Sequence, residues 1–358
     1  MSKHTVLIIG GNGKTGGRVN ARLQSRGIAT RPVSRSTAIP FDWNRQDTWA
    51  GALKGVSKAY VTYQPDIAVE GAAEAIAELG HLANAKGLQQ VVLLSGRGEP
   101  SAQLAEAALQ ASGVNCTIVR ASWFNQNFSE GYLIDGVLAG EIMLPAGPVP
   151  EPFVDADDIA DVAAAAIIDE RHVNKLYELT GPRALTFAEA AGEIAAAAKR
   201  PIRYSQISAQ DFALGMRRAE VPEEIISLLN ELVAEVLDGR NSRVMHGVEE
   251  ALGRPARDFS EFARATASAG VWEPEPCASN SHQHCSGSPR SDAASWPVST
   301  LPSPPPDGND VESRARDGTK TMPGPAVYAP GRPLRRTCVS GAAWRRRTAP
   351  PDDSHPWP

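Results

Sequence analysis

A glycine-rich segment near the N-terminus, VLIIGGNGKTGG at residues 6–17, limits the possible folds of this chain more than any other stretch. An apolar strand pattern leads into this segment, and a helical pattern follows from about residue 15. Two kinds of phosphate-binding loop have features of this sort. The tripeptide Gly13-Lys14-Thr15 is typical of a loop that binds a nucleoside triphosphate, whereas the glycine spacing is typical of a loop that binds a dinucleotide.

The spacing of the segment excludes the triphosphate-binding loop. That loop needs its first glycine at residue 8, where this chain has Ile8 inside an apolar strand pattern. The dinucleotide pattern fits, since Gly10, Gly13 and Gly16 form GxxGxxG, and Gly11 begins a GxGxxG pattern with the same last two glycines. Because a strand precedes the loop and a helix follows it, we predict that a pyrophosphate binds at the start of that helix.

The end of the second strand pattern, TRPVSRST at residues 30–37, indicates which dinucleotide binds. A site for NAD places an acidic residue about 20 residues beyond the glycines, where the carboxylate binds the ribose hydroxyls. Here Ser34 and Arg35 occupy that point, with Arg31 nearby. A guanidinium pairs with a 2′-phosphate that a carboxylate would repel, so the sequence favours NADP(H). The alternative is that Arg35 is an ordinary solvated arginine.

Strand and helix patterns alternate along much of the chain. Strand patterns lie at 4–10, 28–33, 57–62, 90–95, 115–120 and 176–179, and helical patterns at 15–26, 67–86, 101–112 and 156–169. Strands buried on both faces and separated by helices predict an α/β fold with a doubly wound parallel Rossmann sheet, assigned to residues 1–181. Residues 182–272 predict a smaller, mostly helical lobe on the substrate side. Its helical patterns lie at 186–199, 208–219, 222–237 and 258–269, and its one strand pattern at 202–207.

The composition changes after Trp272. Of the 28 prolines, 16 fall in residues 273–358, and the apolar periodicity ends there. Such a segment cannot bury enough apolar surface to offset its ordering entropy, so we predict a disordered tail. Within it, CASNSHQHC at 277–285 brings cysteines and histidines together. This spacing matches no standard zinc site, and no metal is predicted.

The remaining composition excludes several classes of protein. A net charge of −5 favours neither nucleic acid nor an anionic membrane as a partner. No apolar run approaches the roughly 20 residues that span a bilayer. The four cysteines show no regular spacing, and the chain begins without a secretion-signal pattern, so a cytoplasmic location is expected. The oligomeric state stays open between monomer and homodimer.

Several stretches together resemble the NmrA-like family of atypical short-chain dehydrogenases, especially its reductase members related to festuclavine synthases. The matching stretches are GGNGKTGGRV at 10–19, PFDW at 40–43, VVLLSGRGE at 91–99, VRASWFNQNFSEG at 119–131, EPFVDADDIADVAAAA at 151–166 and YELTGPRALTFAEAA at 177–191. The resemblance covers about residues 1–272. It implies a Rossmann domain that binds NAD(P)H and a cleft closed by the C-terminal lobe.

The resemblance also implies roles for individual residues. The residues that would hold the pyrophosphate are Gly10, Asn12, Gly13, Lys14 and Thr15. Arg35 would meet the 2′-phosphate, and Asp42 and Trp43 would flank the adenine. The turn from Thr62 to Pro65 would run beneath the ribose and nicotinamide.

The usual acid–base pair of short-chain dehydrogenases, Tyr-x-x-x-Lys, is missing. None of the six tyrosines has a lysine four positions on: Tyr60, Tyr63, Tyr132, Tyr177, Tyr204 and Tyr328. One interpretation is an NAD(P)H-dependent reductase of a small electrophile such as an iminium, enone or quinone, for which the protein supplies orientation and a dry pocket. The other is an NADP(H)-sensing regulator that acts through protein contacts without turnover.

Two residues are candidates for the chemistry of such a reductase. Ser95 ends a strand pattern at the cleft, where short-chain dehydrogenases often keep a serine that binds the substrate; the alternative is a plain turn residue. Tyr63 is the best available proton donor, and a packing role is its alternative. Glu106 lies on the helix that usually carries the missing pair, and we expect it at the surface or as a cap.

The stretch ASWFNQNF at 121–128 predicts the substrate-binding wall. Trp123, Phe124 and Phe128 would be its apolar part, and Asn125 and Asn127 would orient a polar group; ordinary loop packing is the alternative. The helical pattern at 222–237 has an apolar face, which we expect in the core of the lobe. That face consists of Ile225, Leu228, Leu229, Leu232 and Val236.

Overall fold

A computed structural model describes residues 5–273 of the chain, and these contain a six-stranded parallel sheet. The strands lie in the order β2-β1-β3-β4-β5-β7. Their bounds are β1 Thr5–Ile9, β2 Thr30–Val33, β3 Val56–Val61, β4 Gln90–Gly96, β5 Cys116–Ala121 and β7 Leu176–Leu179. All six strand patterns found within residues 1–181 are therefore in one sheet, and the predicted doubly wound Rossmann fold is confirmed.

Helices cover both faces of the sheet because each strand presents apolar side chains to both sides. In β1, Leu7 and Ile9 pack into the cluster under α3 and α4, whereas Val6 and Ile8 pack into the cluster under α1 and α7. The helices are α1 Lys14–Ser25, α2 Trp49–Ala52, α3 Ala72–Ala85, α4 Pro100–Ala111, α5 Asn127–Glu130, α6 Ile134–Ala139, α7 Ala156–Ile168, α8 Phe187–Ala198, α9 Ala209–Arg218, α10 Glu223–Val236, α11 Gly247–Leu252 and α12 Phe259–Ser268.

A third apolar cluster forms the core of the helical region after the sheet. Four phenylalanine rings meet there with centroids between 5.1 and 6.0 Å apart: Phe128, Phe153, Phe187 and Phe259. Around them pack α8, α10 and α12, together with a two-stranded parallel sheet of β6, Glu141–Leu144, and β8, Arg203–Gln206. The strand β8 was expected from the sequence, whereas β6 was not, since it is short and its partner lies about 60 residues away.

Two expectations about the chain's organisation stay predictions. The boundary between residues 181 and 182 is one of them. The other is the disordered tail at 273–358, which lies outside the described residues except for Glu273. Within 5–273, no helix combines the length and the apolarity needed to cross a bilayer.

A charge network joins α7 to the segment before α12. Asp158 is fully buried and accepts hydrogen bonds from Arg254, at 2.7 Å, from the backbone N–H of Arg257, also at 2.7 Å, and from the guanidinium of Arg257. Asp161 binds the same two guanidinium groups and also Arg22 of α1. Because the Asp158 carboxylate is buried away from solvent, the stability of the folded protein depends on these hydrogen-bond and ion-pair partners.

Replacing Asp158 by asparagine is therefore expected to lower the free energy of unfolding by about 2–4 kcal/mol, since two partly exposed arginines lose a buried partner. Urea unfolding of wild type and variant measures the loss. Asp135→Asn, at an exposed position of α6, is the control and should change stability by less than about 0.5 kcal/mol. A loss in D158N no larger than in D135N would show that the network does not stabilise the fold.

Candidate active site

One cavity of about 490 Å³ opens at the carboxyl ends of the parallel strands. Its lining comes from the segments that follow β1, β3, β4 and β5, with one face of α10 opposite them. In the strand order, β1 and β3 are neighbours, and their connections lead in opposite directions: β1 connects through α1 to β2, and β3 connects through α3 to β4. Ligands of doubly wound sheets bind at such a switch point.

The glycine-rich turn fits a pyrophosphate. Gly10 has φ +75°, and the N–H of Gly13 donates to the Gly10 carbonyl at 2.8 Å. A Cβ on Gly16 would clash with that carbonyl, and a Cβ on Gly10 would clash with Thr62. Helix α1 begins directly afterwards, with no side-chain cap and no acidic residue in its first turn. Its free N–H groups and the positive end of its dipole therefore suit an anion.

Lys14 joins this turn to the loop after β5. Its ammonium donates to Oδ1 of Asn127 at 2.7 Å and lies 5.9 Å from the centroid of the Phe124 ring. Burial lowers the pKa of Lys14 to about 8, although the nearby charge of Glu130 opposes that shift. The residue that the resemblance assigns to the pyrophosphate thus also contacts the predicted substrate wall. Thr15, beside it, is buried and lines the cavity.

The two arginines near the end of β2 that were considered for the 2′-phosphate have different surroundings. The guanidinium of Arg31 donates to the carbonyls of Ala52 and Lys54, at 2.9 and 2.6 Å, which fixes it against the backbone. Arg35 is exposed and has no ion-pair partner among residues 5–273. Next to it, Ser34 accepts a hydrogen bond from the amide of Asn12 at 3.4 Å, so the loops after β1 and β2 meet here.

Trp43 and Tyr63 form an aromatic pair beside the end of β3. Their ring centroids are 4.6 Å apart, and the indole N–H of Trp43 donates to the Thr62 carbonyl at 3.2 Å. Burial and the charge of Glu74 raise the pKa of Tyr63, whose ring lines the cavity. The Asp42 carboxylate accepts the N–H of Asn44 at 3.0 Å. The roles assigned to these side chains from the sequence stay predictions.

Ser95 lies at the cavity, but its hydroxyl has a partner in the protein. It donates to Oε1 of Glu106 at 2.5 Å, and both residues are buried. Arg120 on the neighbouring strand donates to the same oxygen at 2.9 Å and to Glu178 at 2.7 Å. The expectation that Glu106 is a surface or cap residue is therefore wrong: it is a buried carboxylate that neutralises Arg120 and holds Ser95. Substrate binding by Ser95 stays a prediction.

The predicted substrate wall is brought together only in part. Trp123, Phe124 and Asn127 line the cavity, and the buried indole N–H of Trp123 has no partner among the described residues. Phe128 is wrong as a wall residue, because it is fully buried among the phenylalanines of the lobe core. Asn125 is also fully buried and does not line this cavity.

Helix α10 borders the cleft on the side opposite the strand ends. The five apolar residues that the sequence places on one face all line the cavity: Ile225, Leu228, Leu229, Leu232 and Val236. The expectation that this face lies in the lobe core is correct for Val236, and Leu229 and Leu232 pack against that core. It misses the second role of the face, since a helical apolar face looks alike in sequence whether a core or a ligand covers it.

Three ionisable residues at the cavity were not singled out from the sequence: Asp66, Arg97 and Glu99. Glu99 is 6% exposed and lines the cavity beside Asp66. Burial, and next the charge of Asp66, raise the pKa of Glu99 to about 8. The signal that could have found it is its place at the carboxyl end of β4, directly before Pro100 begins a helix. Residues 5–273 hold no group of three or more potential metal ligands. The CASNSHQHC stretch lies outside them.

Sequence comparison now adds to this geometry. The model of the NmrA-like family matches residues 103–263. The chain is 32% identical over 285 residues to the NAD(P)H azoreductase of Xenophilus azovorans, which covers 74% of this chain and 98% of that protein. The chain belongs to the NmrA-like family. The resemblance inferred from its motifs is thereby confirmed.

Two further proteins are similar to this chain. Festuclavine synthase II of Penicillium roqueforti is 29% identical over 284 residues, which is 72% of this chain and 97% of the relative. The crystal structure of Citrobacter sp. triphenylmethane reductase complexed with NADP(H) superposes with a TM-score of 0.62 at 19% identity. It covers 74% of this chain and 99% of that one, and it shows the shared fold.

The glycine-rich turn yields a matched pair of variants. Gly16→Ala is expected to weaken dinucleotide binding at least tenfold, because the new Cβ forces the Gly10 carbonyl and the start of α1 apart. Gly17→Ala places its Cβ 3.6 Å from the Gly11 carbonyl, an ordinary contact, and should leave affinity unchanged. Titration calorimetry with NADPH measures both. Equal affinities for the two variants would contradict a pyrophosphate site at this turn.

Proposed function

We propose that this NmrA-like protein is an NAD(P)H-dependent oxidoreductase that prefers NADP(H) and reduces a small electrophilic organic substrate by hydride transfer. The substrate class is an iminium, enone or quinone. The observation that carries the proposal is that one cavity joins a phosphate-binding helix start to an apolar wall. A protein that only bound the dinucleotide would not need the apolar wall.

The relatives support a reductase. Those named above are an NAD(P)H azoreductase and a festuclavine synthase, and the structural neighbour is a triphenylmethane reductase complexed with NADP(H). Their alignments with this chain span 98% and 97% of the length of each relative. For this chain, we infer binding of a nicotinamide cofactor from its own glycine-rich turn, whose geometry fits a pyrophosphate.

Different residues around the turn bind different parts of the cofactor. The free N–H groups at the start of α1 bind the pyrophosphate, and Lys14 adds positive charge within reach of the same turn. Ser34 and Arg35 at the end of β2 bind the 2′-phosphate. Thr62, which a Cβ on Gly10 would displace, borders the path toward the nicotinamide.

The apolar half of the cavity orients the substrate and excludes water. Trp123 and Phe124 form one side, and the apolar face of α10 forms the other. When bound, the reduced nicotinamide supplies a hydride. Hydride addition to a cationic carbon needs no proton, so orientation and dryness are what the protein contributes for such a substrate.

The preference for NADP(H) rests on Arg35. We expect Arg35→Asp to raise the Kd for NADPH by about tenfold to a hundredfold and to change that for NADH little, because the new carboxylate repels only the 2′-phosphate. Fluorescence titration of each reduced cofactor measures the two constants. Arg26→Asp, at an exposed position just after α1, controls for the change in net charge. Equal loss for NADPH and NADH would show that Arg35 does not bind the phosphate.

Reductase activity is tested by following NADPH oxidation with a panel of quinone, enone and cationic dye acceptors. Leu228→Asn puts an amide into the apolar wall and is expected to lower kcat/KM about tenfold or more. Ser227→Asn, on the neighbouring exposed position of α10, should have no effect. Tight NADPH binding by the wild type without oxidation by any acceptor would favour the regulatory alternative instead.

A further inference from the structure

We propose that Glu99 is the proton donor for the reduction, with Asp66 as the neighbouring carboxylate that keeps the proton on it. This inference rests on the proposed reductase function. It assigns to Glu99 the step that the missing Tyr-x-x-x-Lys pair performs in other short-chain dehydrogenases.

The backbone around Glu99 makes room for a carboxyl group at the cavity. Glu99 follows the last residues of β4 and precedes the first turn of α4, and its Oε2 is buried without a hydrogen-bond partner among the described residues. A Cβ on Gly96 would clash with this carboxyl group, so the glycine at that position is what lets the side chain lie over the strand end. The carboxyl group lines the same cavity as the apolar wall.

The loop that carries Glu99 is held from the other side of the cleft. The guanidinium of Arg97 donates to the carbonyls of Asn241 and Arg243 at 2.6 and 2.8 Å, and the Asn241 amide donates back to the Arg97 carbonyl at 3.0 Å. Arg240 donates to the Gly98 carbonyl at 3.2 Å. These bonds fix the position of the carboxyl group relative to α10.

The charges that face Glu99 favour its protonated form. Asp66 approaches from the loop after β3, and Glu235 from α10, and both are acidic. The nearby cation, Arg240, is paired with Glu235 at 3.5 Å and with Asp238 at 2.9 Å. Burial and these negative charges raise the pKa of Glu99 to about 8, so at neutral pH it is a carboxylic acid with a proton to give.

Other polar groups at the cavity are less suited to this step. The pKa of Lys14 is also lowered to about 8, but its ammonium donates to Asn127 and is assigned to the pyrophosphate. The Ser95 hydroxyl donates to Glu106. The Tyr63 ring packs on Trp43, and its pKa is raised above the ordinary value of 10.0, which makes it a weaker acid than Glu99. A general acid works best when its pKa lies near the working pH.

The step balances for acceptors with a neutral double bond. In a quinone, enone or azo compound, the substrate receives a hydride from the reduced nicotinamide at one end of the conjugated π system. The other end takes the proton of Glu99, so a new O–H, C–H or N–H bond forms as the carboxyl O–H bond breaks. The substrate gains two electrons, the nicotinamide is oxidised, and the Glu99 carboxylate regains a proton from water. A cationic acceptor needs the hydride alone.

This difference between acceptors gives the decisive experiment. Glu99→Gln is expected to lower kcat for a quinone at pH 7 by about 10²-fold, and to change kcat for a cationic triphenylmethane dye less than about threefold. Glu78→Gln, at an exposed position of α3, is the matched control and should leave both rates unchanged. An equal loss on quinone and dye would overturn the proposal, since it would show that Glu99 acts in folding or binding. If the wild type reduces neither acceptor, the proposed function itself fails.

The pH dependence separates a proton donor from a packing residue. In the wild type, kcat for the quinone is expected to fall as the pH rises through about 8, where Glu99 loses its proton. Asp66→Asn removes a negative charge, lowers the pKa of Glu99 and should move this fall to lower pH. A fall that stays in place in D66N would overturn the proposal, because it would come from another group of similar pKa, such as Lys14, which Asp66 does not influence.

Stability supplies a readout that needs no turnover. The pKa of Glu99 is raised from 4.5 to about 8 in the fold, so the folded state holds a proton that the unfolded state has lost. Wild-type stability therefore contains a contribution that is present below pH 4.5 and is lost as the pH rises to about 8. The Tm of E99Q relative to wild type should rise across that window and level off above it. A constant difference would show that Glu99 does not carry the proton.

Discussion

The close contact between the start of α1 and the end of β1 is the constraint on which the rest of the structure depends. Gly16 lies so near the Gly10 carbonyl that no side chain fits between them. The helix can therefore begin immediately beyond the strand, with its free N–H groups directed at the cleft. Once this helix start is placed at the β1/β3 switch point, a bound dinucleotide is expected to lie along the carboxyl edge of the sheet, where the cavity opens.

The C-terminal region completes this site from outside the sheet. Helix α10 supplies the apolar face opposite the strand ends, while Asn241 just after it binds the loop that follows β4. Asp158 binds the arginines that precede α12. The contacts between Arg97, which lines the cavity, and Asn241 therefore tie this region to the loop after β4 at the cleft itself.

The sequence predicted what depends on local periodicity and missed what depends on contacts between distant segments. The six sheet strands and the glycine-rich turn could be found because each is a continuous pattern. Glu106 is predicted at the surface or as a cap because its neighbours in sequence do not reveal Arg120, which the pairing of β4 and β5 places beside Ser95, the other partner of Glu106. Phe128 and Trp123 are equally aromatic in the sequence, and only the packing of the lobe decides that Phe128 lies wholly in the core whereas Trp123 packs on the core and also lines the cleft.

Loss of the Tyr-x-x-x-Lys pair changes the electrostatics that a reductase must use. A tyrosine needs a neighbouring cation to become acidic enough, and a second cation in addition to Lys14 would increase the repulsion of an iminium or a cationic dye. A buried carboxylic acid reaches a similar acidity from the opposite direction, since burial and a second carboxylate weaken it to near neutrality. In its protonated form Glu99 adds no charge of its own to the cleft. One apolar cavity can therefore accept a cationic substrate and still deliver a proton to a neutral one.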